Sequence, residues 1–479
     1  MGRFLAQILF LEGIMMLPAL GISLYCGTFP AVRGFLAAIV VAVLISLILF
    51  RICRGAPSAF YAKEGFVCVA VSWIVLSLVG CLPFCISGEI PRFVDAFFEI
   101  VSGFTTTGAS IVPAVEELSK GILYWRSFSH WVGGMGVLVF LLAIAPGGER
   151  GTGFTMHLLR AESPGPDVGK LVPKMRKTAA ILYIIYCVMT VINILFLLAG
   201  GMNLFDSVCH AFGTAGTGGF GIKNDSMAGY SPYLQNVTTV FMILFGVNFS
   251  CYYLLLIRQW KNVCLDEELR TYLGIIAVSI LLIVLDTRGF YGTLEETVRH
   301  AAFQVGSIIT TTGFATTDFN LWPSIPKTIL VLLMFCGACA GSTGGGMKVS
   351  RIMILLRTMF RELTWNRRPN QIKRVYFEGR PLDNELVRSV TVFLTTYAFI
   401  FAGSVFLISI DNFDMTTNFT AVAATINNIG PGLEMVGPTQ NFSIYSNFSK
   451  IILIFDMLAG RLELYPMLIL FSRDTWRKF

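Results

Sequence analysis

Charge is what this sequence has least of. Only 14% of its 479 residues are Asp, Glu, Lys or Arg and 55% are hydrophobic, with a mean hydropathy of +0.70. A soluble domain carries about a quarter charged residues, so a water-exposed globular class is excluded. Histidine is scarcer still, with four residues and no metal-ligand spacing among them. His130, His210 and His300 fall on separate segments, and no Ser/His or paired-acid set sits inside the apolar runs, so the chain is not expected to be an enzyme. The 11 cysteines lie mostly in or beside apolar runs and read as small packing residues rather than a disulfide or zinc framework. No cleavable signal is evident, because the first apolar run works better as a membrane span.

Long apolar runs are what the sequence has instead. Several approach the ~20 residues that cross a bilayer core. They fall at 5–27, 33–53, 66–86, 122–146, 179–199, 234–257, 271–285, 325–352, 388–410 and 447–472, about ten full crossings, of which the seventh looks short. The formal charge of +7 does not point to nucleic acid. Most of the 36 Lys and Arg residues cluster at Arg3, in loops 51–65, 147–178, 258–271 and 347–388, and in the C-terminal tail. The positive-inside rule then places both termini in the cytosol. Acids such as Asp95, Glu99, Glu116, Glu117, Asp225 and Asp318 fall on the outer side, where a carboxylate-rich vestibule would concentrate cations.

An internal repeat organises the chain. "SGFTTTGAS" (102–110), "GTAGTGGFG" (213–221), "SIITTTGFATTDF" (307–319) and "TINNIGPGL" (425–433) align on Gly108, Gly219, Gly313 and Gly430. Thr106, Thr217, Thr311 and Asn428 then stand two positions earlier, and Thr107, Gly218, Thr312 and Ile429 one position earlier. Each copy follows a full span and a stretch of ~10–12 residues too short to cross, and precedes another span. Asp95 and Asp206 are expected as N-caps of two of these half-helices. Non-helical backbone survives at membrane depth only where protein buries it or a watery cavity meets it. Glycine permits the φ/ψ values that turn successive carbonyls to one side. Four such strands around an axis form rings of oxygen able to replace the hydration shell of an alkali cation, with four half-helix C-termini adding partial negative charge.

The expected fold class is therefore an all-α integral membrane protein, with two leading helices and four pseudo-symmetric span, pore-helix, span repeats around a central pore. The leading helices occupy 1–60 and the repeats 61–150, 151–260, 261–360 and 361–479, the last including a preceding cytosolic loop.

With "TTTG", "GTGGFG", "TTTGF" and "NNIGPG" as its four filters, the chain resembles the Trk-type potassium uptake subunits of bacteria, within the wider Trk/Ktr/HKT superfamily. The resemblance covers nearly the whole length. It implies a potassium-translocating subunit of the bacterial cytoplasmic (inner) membrane, a homodimer with one pore per protomer. It also implies regulation by a cytosolic nucleotide-binding ring of RCK type, potassium at the filter residues and no organic cofactor. Sodium-favouring relatives often carry serine at the first filter glycine, so Gly108 supports potassium.

"CGACAGSTGGGMKVSR" (336–351) interrupts the eighth span, since each glycine costs roughly 1 kcal/mol in a helix. It reads either as a small-residue packing site or as an unwound segment, and the resemblance implies an intramembrane gating loop with Gly341, Gly344, Gly345, Gly346 and Lys348. The Gly341 to Gly346 spacing begins like a P-loop, but Met347 separates it from Lys348 and no strand precedes it. Arg461 interrupts the last span, where an unpaired arginine costs ~2.5–3.5 kcal/mol. It reads as a partner of Asp456 or Glu463, as a snorkelling side chain, or, as the resemblance implies, as a positive barrier in the permeation path. Loop 361–385 contains an expected hairpin turned at Glu378-Gly379 and reads as a solvated connector or, by resemblance, a docking site for the ring. A proton- or sodium-coupled carrier of the alternating-access type is the competing function.

Overall fold

The computed structural model describes residues 1–54, 62–136, 175–368 and 374–476. The second half of the expected fourth span and the expected boundary at 150/151 lie outside these residues. The chain opens with α1 (Gly2–Met15), α2 (Leu17–Tyr25) and α3 (Phe29–Ile52), the two leading crossings. The first repeat follows as α4 (Ala62–Gly80), α5 (Leu82–Ser87), the half-helix α6 (Phe93–Phe104) and α7 (Lys120–Gly134). The second is α8 (Met175–Ala199), half-helix α9 (Leu204–Ala215), α10 (Pro232–Phe245) and α11 (Phe249–Leu256). The third is α12 (Glu267–Asp286), half-helix α13 (Leu294–Ile309), α14 (Ser324–Cys336) and α15 (Val349–Arg367). A short hairpin, β1 (Tyr376–Phe377) and β2 (Arg380–Pro381), precedes the fourth: α16 (Asn384–Ile408), half-helix α17 (Met415–Ile426), α18 (Asn447–Arg461) and α19 (Tyr465–Phe471).

Hydrocarbon is the solvent this surface is made for. On α3, Leu36, Leu44, Leu47, Ile48 and Ile52 stand exposed on one side while Phe35, Ala38 and Ala42 pack inward. Apolar surface of that extent suits lipid and not water.

The first helix of each repeat is a continuous span, and the second is interrupted in repeats two, three and four. Among the described residues six helices are long and apolar enough to cross, and a seventh candidate, α10 with α11, is bent by 90°. The expectation of about ten unbroken crossings is corrected accordingly: the sixth and tenth spans break as well as the eighth. The reasons are local. Asn248 caps α11 by accepting the Ser250 amide at 2.9 Å, and Glu463 and Leu464 take left-handed φ of 56° and 66° just before Pro466 begins α19. The seventh span is 20 residues because α12 begins at Glu267, under the Asp266 cap.

Three of the four half-helices start on side-chain caps, the exception being α6, which follows Arg92. Asn203, Thr293 and Asp414 accept amides of Asp206, Glu296 and Thr417 at 2.8, 3.2 and 3.0 Å. Asp95 and Asp206 are thus not caps but third residues of their helices, where acid still complements the positive end of the dipole. Asp95 also pairs with buried Lys450 at 2.6 Å. The hairpin turns at Glu378 and Gly379, both left-handed, as its sequence predicts.

Candidate functional site

All four half-helices end in the same way. The amides of Thr107, Gly218, Thr312 and Ile429 each reach back five residues, to the carbonyls of Ser102, Gly213, Ser307 and Ala424, at 2.9, 2.8, 2.8 and 2.8 Å. This closure needs a left-handed residue just before it. Glycine is the usual occupant, yet here it is Thr106, Thr217, Thr311 and Asn428, with φ of 57°, 52°, 58° and 54°. A left-handed β-branched residue is costly, about 1–3 kcal/mol each, and persists where surroundings over-determine it.

Two positions on, Gly108, Gly219, Gly313 and Gly430 are left-handed too, with φ of 78°, 75°, 86° and 101°. Their lack of a side chain closes a ring. A Cβ on Gly108 would overlap the Gly218 carbonyl oxygen, one on Gly219 that of Thr312, and one on Gly313 that of Ile429. On Gly430 it would lie 2.8 Å from the carbonyl oxygen of Thr107. Every glycine therefore backs onto the carbonyl of the residue preceding the next glycine, in the cyclic order one, two, three, four, one. All four glycines line a single cavity of about 130 Å³ on the vestibule side.

The expected outer carboxylates Glu116 and Asp225, with Asp206, line a neighbouring cavity that shares Lys223, not the one over the glycines. Arg126 and Lys223 line the cavity over the glycines, and no carboxylate does. Glu99 is instead buried behind the first strand, where it pairs with Arg126 at 2.7 Å and accepts the Ile111 amide at 2.9 Å. Arg126 also lies over the Phe220 ring, 4.2 Å from its centroid, bracing the second strand. His130 adds a further brace: Nδ1 is 2.9 Å from the Gly103 carbonyl, and Nε2 accepts the Phe220 amide at 3.2 Å. The fourth strand is tied to the first by Asn428 Nδ2, which donates to Thr107 Oγ1 and to the Met457 carbonyl, both at 2.9 Å. Sequence reasoning missed Glu99, Arg126 and His130 as site residues. The one signal available was a lone arginine and a histidine inside the apolar stretch "LYWRSFSHW".

Residues 337–348, between α14 and α15, lie directly beneath the ring. Gly337, Gly341, Gly346 and Lys348 are left-handed, so no helix continues here. The Gly345 amide donates to Thr311 Oγ1 at 2.6 Å, and a Cβ on Gly344 would lie 2.9 Å from the Thr310 carbonyl. Lys348, 1% exposed, folds back to donate to the Gly344 carbonyl. Cys336 and Cys339 at the start of this segment form a Cys-x-x-Cys pair, and both are buried free thiols.

Arg461 reaches the same segment from α18. Its guanidinium donates to the Thr343 carbonyl at 3.0 Å, to the Gly134 carbonyl at 2.8 Å and to the Gly133 carbonyl. Asp456 accepts from Ser404 at 2.7 Å, and Glu463 pairs with Arg351. Beneath the ring a fixed positive charge thus spans from the loop to the end of α7. Among the described residues no group of three or more His, Cys, Asp or Glu side chains could hold a metal ion.

The family described as cation transport protein, TrkH, matches residues 33–478. The chain belongs to this family. Within the TrkH family and its kin, the Trk system potassium uptake protein TrkH of Salmonella typhimurium is 37% identical over 479 residues, covering 98% of this chain and 97% of that protein. TrkH of Halomonas elongata is 34% identical, covering 99% and 98%. The crystal structure of the potassium transporter TrkH from Vibrio parahaemolyticus shares the fold with a TM-score of 0.87 at 32% identity, over 99% of each chain. The architecture of two leading helices and four span, half-helix, span repeats is the TrkH fold, an integral membrane one, and these relatives are transporters.

Proposed function

We propose that this protein takes up potassium across the bacterial cytoplasmic membrane through a selective pore. The observation that carries the reading is the cyclic ring, in which four left-handed glycines back onto four neighbouring carbonyls around one cavity. A filter needs oxygens held at fixed radius by a frame that cannot collapse onto the ion. Thr106, Thr107, Gly108, Thr217, Gly218, Gly219, Thr311, Thr312, Gly313, Asn428, Ile429 and Gly430 make up that filter. Potassium is the ion it holds, with no organic cofactor in this chain. The relatives' names as Trk system potassium uptake proteins support the choice of ion.

Passage is governed by the loop containing Gly341, Gly344, Gly345, Gly346 and Lys348, and by Arg461. The loop's bond to Thr311 and the arginine's carbonyl partners below the ring support this reading. The repeats run 61–150, 151–260, 261–360 and 361–479, the termini face the cytosol, and the protein works as a homodimer under a cytosolic RCK-type nucleotide-binding ring that docks near loop 361–385.

A potassium-uptake-deficient strain grown at low potassium tests the reading. The intact chain restores growth, and Gly313→Ser, whose side chain has no room beside Ile429, does not. No rescue by the well-expressed intact chain overturns it. The coupled-carrier reading has one observation in its favour. Glu12 is buried with neither carboxylate oxygen hydrogen-bonded, and one oxygen of buried Asp456 is likewise unpaired. Reversal potentials that follow the proton gradient instead of potassium would establish that alternative.

A further inference from the structure

Two adjacent carboxylates at the start of α12 connect the loop beneath the ring to the hairpin outside the membrane. Glu268 is 5% exposed, and its Oε1 accepts two amides: Ala340 at 2.8 Å, inside the loop, and Ser350 at 3.0 Å, in the first turn of α15. One oxygen thus holds both flanks of the glycine run. These are charge-assisted bonds, about twice as strong as neutral ones, and they are protected from water. The loop's glycines supply no side-chain packing of their own, so such anchors decide its position.

The preceding residue faces the hairpin. Glu267 pairs with Arg357 of α15 at 2.8 Å and accepts the Glu378 amide at 3.3 Å. Arg357 completes the triangle by donating to the Tyr376 carbonyl at 2.6 Å. Glu267 and Glu268 share a helical turn that is capped by Asp266, which accepts the Leu269 amide at 2.7 Å. A displacement of the hairpin is therefore transmitted through one rigid turn to the oxygen that holds the loop.

We propose that Glu268 is the positioning residue that latches the loop across the conduit, and that the hairpin at 376–381 sets this latch through Glu267. The inference rests on the reading of residues 337–348 as the gate. It adds the residue that holds the gate shut and the route by which a cytosolic event reaches it.

Rubidium uptake into potassium-loaded liposomes containing the full-length protein, normalised to monodisperse protein, tests both levels. Deletion of residues 342–346 raises flux if the loop is the gate. Glu268→Ala, which removes both bonds, raises it about tenfold, while Glu268→Gln, which keeps an acceptor oxygen, stays within about twofold of the parent. Glu267→Ala raises flux about threefold. None of these adds to the deletion. Should Glu268→Ala fail to fold, Glu268→Asp carries the test, because its carboxylate falls one methylene short and flux again rises. Flux at or below the parent in Glu268→Ala, or in Glu268→Asp where the alanine variant does not fold, with the deletion raised, overturns the latch and leaves the gate standing. An unchanged Glu267→Ala overturns the link to the hairpin. An unchanged deletion overturns the gate itself and the latch with it.

Discussion

The four segments entering the ring end on the same five-residue bond, the same left-handed residue and the same left-handed glycine. Among the described residues, the four helices that leave it end differently. α7 stops at Gly134, α10 turns 90° into α11, α14 gives way to residues 337–348, and α18 breaks at Glu463 and Leu464. The third of these gives way to a loop whose Gly345 amide donates to Thr311 of the ring, and the fourth carries the guanidinium that donates to that loop. Ion selection needs every side of the path to match, because a cation's hydration shell is replaced all round. Closing a path needs a single obstruction. Four-fold likeness above and divergence below are what those two tasks require.

Substitutions that act on one region and spare the other sharpen this contrast. The largest effect belongs to the ring. Gly219→Ala sets a methyl against the Thr312 carbonyl and abolishes rubidium uptake without loss of folded protein. Next comes the frame behind the ring. Arg126→Met leaves Glu99 buried and unpaired and lowers stability by about 3–5 kcal/mol in thermal unfolding in detergent, and Glu99→Met added to it restores most of that loss. Below the ring the sign reverses. Arg461→Ala removes the three carbonyl contacts and raises flux about tenfold, so equal or lower flux at equal expression would count against a barrier role. The smallest effect separates two equivalent threonines. Thr311→Val loses the Gly345 bond and raises flux about threefold, whereas Thr217, whose hydroxyl turns back to the Gly216 carbonyl, gives a Val variant within about twofold of the parent. Equal responses at the two positions would show that the lower face is as symmetric as the upper.

The same division decides what the sequence discloses. The ring is legible because its requirement is local: a half-helix, a left-handed residue and a glycine recur at fixed spacing in one stretch of chain. The hairpin at Glu378 and Gly379 is legible for the same reason. The braces are not. Glu99 and Arg126 read as surface charges on an outer face, and only the fold brings them to 2.7 Å and buries both. Glu268 meets Ala340 and Ser350 across most of a repeat, and no spacing rule reaches that far. Asp95 illustrates a smaller miss. Its acid in the first helical turn was legible, but its partner Lys450 lies three repeats away, and the cap it was expected to provide falls at the position of Arg92. The breaks in the second helices were half-visible: Asn248 and Pro466 are boundary signals set in runs so apolar that hydropathy alone carries straight through them.

Asn428 stands where the other three copies carry threonine, and its amide bridges to the first strand and to α18. A conduit assembled from identical subunits feels every mutation several times at once and must keep whatever suits all copies together. Carried on one chain, each quarter is free to change alone, so the position of Asn428 could be given to a fastener while its three counterparts kept their hydroxyls.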